Sequence, residues 1–74
     1  MLTPSEILKL MRVKLAKEQE SLPVEMRVSL EDILEKAGID HDRLGTWERN
    51  EHYPGKRYLT AMMQAKEEFY SRAG

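Results

Sequence analysis

The two histidines are the side chains best able to move protons near neutral pH. His41 lies between Asp40 and Asp42, and His52 follows Glu51. Catalysis would need a nucleophile, a base and a group that orients the base. No such set is spaced along this chain. A zinc-type site asks for histidine, cysteine or carboxylate ligands at regular intervals, and two histidines with scattered acids do not supply them. The sequence therefore reads as neither an enzyme nor a metalloprotein, and no cofactor is expected. What remains is hydrogen bonding and charge, concentrated between Asp40 and Arg57.

Those groups must be carried by helices. Thr3, Pro4 and Glu6 form a helix start, with Thr3 as cap, Pro4 at the first helical position and Glu6 completing a capping box. Ile7, Leu8, Met11 and Leu15 then recur at helical spacing, and the helix is expected to run to about Glu20, before Pro23. Ser21 to Val28 is a connection. Val24, Met26 and Val28 alternate with polar residues, so it reads as either a short extended piece or an irregular loop over the core.

Ser29 is a good N-cap with Asp32 three residues on. Leu30, Ile33, Leu34 and Ala37 give a short apolar stripe, and Gly38 stops the helix because glycine takes the left-handed conformation without penalty. Asp40 caps a third helix, from His41 to about Asn50, which buries Leu44 and Trp47 on one face. Gly45 sits inside it at a cost of about 1 kcal/mol relative to alanine. Tyr53-Pro54-Gly55 is the strongest turn signal. A last helix spans about Lys56 to Tyr70, with a broad stripe of Tyr58, Leu59, Met62, Met63, Phe69 and Tyr70. The expected core is Leu8, Met11, Leu15, Leu30, Ile33, Leu34, Ile39, Leu44, Trp47, Leu59, Met62 and Met63. The fold class is all-α: one small four-helix domain over residues 1–74, with a helix-turn-helix at about 29–50 and an extended first helix and connection.

With 74 residues the chain suits one domain with a thin core. Cysteine is absent and no apolar run is long enough to span a bilayer, so a cytoplasmic protein without membrane association is expected. Twelve basic and 13 acidic residues leave a net charge of −1. That balance disfavours tight non-specific binding to nucleic acid, which basic side chains drive, but leaves room for a local basic rim.

Ser29-Leu30-Glu31-Asp32-Ile33, then Gly38-Ile39-Asp40, then Leu44 with Trp47-Glu48-Arg49-Asn50, resembles the helix-turn-helix of Cro/repressor (XRE-like) transcription regulators. The resemblance implies a sequence-specific regulator that inserts its second motif helix, about 41–50, into the major groove of double-stranded DNA. It implies base contacts from His41, Asp42 and Thr46. It implies phosphate contacts from Arg43, Arg49, Asn50, Lys56 and Arg57, and a structural ion pair between Arg12 and Glu48. The chemistry is compatible: Thr46 can donate or accept at a base edge, Asp42 can accept from cytosine, and His41 can donate to guanine or phosphate. The resemblance also implies a homodimer on two half-sites. The apolar last helix could supply that pairing, or dock another protein as in a phage-encoded regulator or an antitoxin. Protein recognition on a helix-turn-helix scaffold is the alternative function.

Three features depart from the family pattern. The connection before Ser29 is longer than usual. Leu34 stands where the family generally has a small residue, which should push the two motif helices apart or change their angle. Asp40, Asp42, Glu48 and Glu51 place four acids in and around the second motif helix, and Asp42 and Glu51 have no evident role.

Overall fold

The computed structural model describes Met1 to Ala73. Among the described residues it contains four α-helices and no strand. Helix α1 (Pro4–Glu18) is followed by a 3-10 turn (Val24–Met26), α2 (Leu30–Lys36), α3 (His41–Glu48) and α4 (Lys56–Ala73). Helix α1 packs on α2 and α3, α2 on α3, and α4 on α2.

Local chemistry sets most boundaries. The Thr3 hydroxyl accepts from the Glu6 N–H while the Glu6 carboxylate accepts from the Thr3 N–H. Ser29 and Asp32 form the same reciprocal box at α2. Asp40 Oδ1 accepts from the Asp42 N–H at 3.1 Å and starts α3. Each cap satisfies backbone donors that a helix start leaves unpaired.

Helices α2 and α3 are too short to persist alone. Both end in the same way. Gly38 takes φ +76°, and the Ile39 and Gly38 N–H groups donate back to Leu34 and Glu35 carbonyls at 2.9 and 3.1 Å. This is a Schellman motif, and its usual apolar contact is supplied by buried Ile39 and Leu34. At the end of α3, Asn50 takes φ +60°, and Glu51 and Asn50 donate to Thr46 and Trp47 at 2.8 and 3.1 Å. Helix α3 thus closes at Glu48, two residues earlier than its sequence suggests. Asparagine tolerates the left-handed conformation better than most residues, so the helix stops there.

The buried cluster consists of Leu8, Leu15, Leu30, Ile33, Leu34, Ile39, Leu44, Trp47, Met62 and Ala65. Leu34 is fully enclosed. Met11 is only half-buried, and the expected core residues Leu59 and Met63 are exposed at 38% and 59%. Met62, Ala65 and Phe69 point α4 at the core. Leu59 and Met63 are rotated roughly 60° and 100° from Met62 around the helix, which carries them to the lip of an open groove between α1 and α4. That groove has a volume of about 360 Å³ and a floor that includes Ile7, Met11 and Leu30.

The connection after α1 is structured. Gln19 is buried at the end of α1. Its amide donates to the Leu15 and Val28 carbonyls at 3.3 and 2.9 Å, and its carbonyl accepts from the Val28 N–H at 2.8 Å. The exchange with Val28 reproduces the two bonds of a strand pair with a single side chain. Arg27 donates to the Leu22 and Glu20 carbonyls at 2.9 and 3.1 Å, tying the loop across itself. The alternating Val24–Met26 segment forms a single 3-10 turn, and the chain is extended at Arg27 after it.

Among the described residues, no helix is long and apolar enough to cross a membrane.

Candidate functional site

Helix α3 presents two faces. Leu44 and Trp47 are buried, and the Trp47 ring meets Tyr58 of α4 edge-on at 5.8 Å. His41, Asp42, Arg43 and Arg49 are exposed, and Gly45 and Thr46 are half-exposed. The Thr46 hydroxyl donates to the Arg43 carbonyl at 2.6 Å, so its lone pairs face outward as acceptors.

Tyr58 organises the edge of this face. The Arg43 guanidinium lies over its ring at 4.6 Å and the Arg57 guanidinium at 4.9 Å. Arg57 also donates to the Tyr58 hydroxyl at 2.8 Å. Attraction between a cation and the ring face holds each arginine without neutralising it. Lys56 opens α4 beside them. Among the described residues none of these three cations has an ion-pair partner.

Most of the acids near α3 are engaged within the molecule. Asp40 caps the helix. Glu48 accepts from Arg12 at 3.2 Å. The same Arg12 nitrogen donates to Glu31 of α2 at 2.8 Å, so one guanidinium joins three helices. The Glu31 arm is not legible in the sequence, because it depends on how closely α1 and α2 approach. Arg12 holds the Glu31 carboxyl below its ordinary pKa through that hydrogen bond, helped by the Glu31 backbone. Glu51 accepts from Arg49 Nε at 2.9 Å and Nη2 at 3.3 Å. That pairing lowers the Glu51 pKa and raises that of Arg49. Of the four acids around α3, only Asp42 makes neither an ion pair nor a side-chain cap among the described residues.

Two residues expected to grip phosphate are already committed. Arg49 is paired with Glu51. Asn50 lies beyond α3, and its side-chain carbonyl accepts from the Ser5 N–H at 2.9 Å. It therefore caps the start of α1, forty-five residues back along the chain. His41, Asp42, Arg43, Thr46, Lys56 and Arg57 keep their solvent-facing groups. His52 is exposed in the following turn, and no group of three histidine, cysteine or acidic residues converges among the described residues.

The α1–α4 groove lies apart from α3. Lys66 and Glu18 pair across it at 3.1 Å, and the Tyr70 hydroxyl donates to Glu18 at 3.4 Å. Burial, with the Glu18 charge, raises the Tyr70 pKa.

No protein-family model matches the chain, and no curated protein or solved structure matches it.

Proposed function

We propose that this protein is a non-enzymatic, sequence-specific DNA-binding transcription regulator of the cytoplasm that lays α3 in the major groove. One observation carries this reading. The acids around α3 are largely engaged internally, while Arg43, Lys56 and Arg57 stand unneutralised at the edge of an open helical face. Three cations without an ion-pair partner among the described residues, against the unpaired acids Asp42 and Asp40, leave a basic rim on a chain that is acidic overall. Such a rim attracts phosphates, and the groups between, His41, Asp42 and Thr46, suit base edges. The Ser29–Asn50 resemblance to Cro/repressor regulators agrees with this placement.

The test is fluorescence anisotropy of the full chain with duplex DNA at several salt concentrations. Binding should weaken steeply with salt, and Arg43→Ala or Arg57→Ala should each lower the log–log slope by about 1. Selection from random duplexes should then return a defined site. Absence of salt-dependent duplex binding would remove the proposal.

A second reading, protein recognition, draws on the α1–α4 groove and the exposed Leu59 and Met63 at its lip. In the DNA-binding reading the same surface pairs two copies on two half-sites. Sedimentation with and without a selected site separates the cases. A dimer that binds a two-fold site supports pairing, and a monomer with no DNA affinity favours a protein partner.

A further inference from the structure

Glycine in the middle of a short helix weakens it, so Gly45 calls for a reason. A Cβ built at Gly45 would lie 2.9 Å from Arg49 Nη1, with Cζ and Nη2 at 3.7 and 3.8 Å. The Arg49 side chain therefore folds back over one turn of α3, in the direction helical side chains lean. Its guanidinium lies on the glycine, on the side of α3 opposite Leu44 and Trp47. Glu51 grips it there through Nε and Nη2. That grip consumes one edge of the guanidinium. The other edge, Nη1 with the second hydrogen of Nη2, still offers two parallel donors. In the major groove, guanine presents two parallel acceptors, O6 and N7. A phosphate contact at the rim asks only for charge and needs neither a fixed fork nor a glycine seat.

We propose that Arg49 reads a guanine of duplex DNA from the centre of the α3 face, with Glu51 as its positioning residue and Gly45 as its seat. This deepens the DNA-binding reading and rests on it. It replaces the phosphate role that the resemblance implies for Arg49, and it gives Glu51 a purpose.

The experiment uses the full chain and the duplex recovered by selection, with each guanine exchanged in turn for 7-deazaguanine, which lacks only the N7 acceptor. At one position of the site the exchange should weaken wild-type binding about 10-fold, at the low end for a bidentate contact because O6 still accepts. Arg49→Met keeps the stem and removes every donor. It should lose that sensitivity. Glu51→Gln should bind unrelated DNA more tightly, because an acid is gone, yet show a smaller 7-deazaguanine effect. Gly45→Ala should strengthen α3 and still reduce the effect, which rules out unfolding as its cause. Full sensitivity in Arg49→Met, or equal gains for specific and unrelated DNA in Glu51→Gln, would overturn the inference and leave DNA binding standing. Wild-type binding with no guanine in the selected site would do the same, and no duplex binding would end both.

Discussion

Arg12 shows how much of this molecule depends on single side chains. Its guanidinium joins α1 to Glu31 of α2 and to Glu48 of α3, with all three side chains between two-fifths and half exposed. Solvent screens pairs of this kind, so the link to Glu31 stabilises the fold by at most about 1 kcal/mol. Its pH dependence has a definite sign. The Glu31 carboxyl titrates below its ordinary value in the folded protein. Stability from this pair is therefore fully present above the unfolded carboxylate pKa of about 4.3. It is lost as pH falls from there through the lower folded value. Thermal melts should be flat from neutral pH to about 5 with respect to this pair and then decline. In Glu31→Gln the decline should be shallower and the neutral-pH stability slightly lower. A variant as acid-sensitive as the wild type would show that other carboxylates govern the transition.

At the scale of elements, the short helices α2 and α3 owe their placement to their ends. Each starts on a side-chain cap and stops on a left-handed residue, Gly38 or Asn50. The segment between α1 and α2 has no such helical logic and is held by Gln19. Truncation in Gln19→Ala would leave the buried Gln19 site empty and the Val28 N–H and carbonyl without their partner. The expected loss is about 1–3 kcal/mol, the usual cost of orphaning groups in a partly buried site. A denaturant titration measures it. Limited proteolysis should also find new cleavage between Glu20 and Val28 in the variant, since the loop would lose its anchor. An unchanged midpoint would mean that Arg27 alone holds the connection.

At the scale of the whole molecule, the fold was legible wherever a boundary is set by neighbours in sequence. The capping pairs Thr3–Glu6 and Ser29–Asp32, the Gly38 stop, and the inward pair Leu44 and Trp47 are all local, and all read directly. What depended on helix approach did not read. The apolar stripe of α4 is wide, and its composition does not say which edge meets α2, so Leu59 and Met63 read as core although they flank a groove. Gln19 at a helix end looks like a solvated polar residue until Val28 is brought against it. At the candidate site the residue types were visible, but their engagements were not. Glu51 reads as a stray acid unless the return of Arg49 across Gly45 is known, and Asn50 reads as a surface amide unless its left-handed backbone and its bond to Ser5 are known. That last bond has a consequence for dynamics. Amides in the first turn of a helix normally exchange with solvent almost freely, because nothing in the helix accepts from them. Ser5 is an exception, since its acceptor arrives from the far end of α3. In hydrogen exchange followed by NMR, the Ser5 amide should be protected to the same free energy as the Trp47 and Asn50 amides, and Asn50→Gly should release Ser5 alone. The start of the chain would then act as a clock for the docking of α3, reporting each opening of the proposed reading helix from a position outside it.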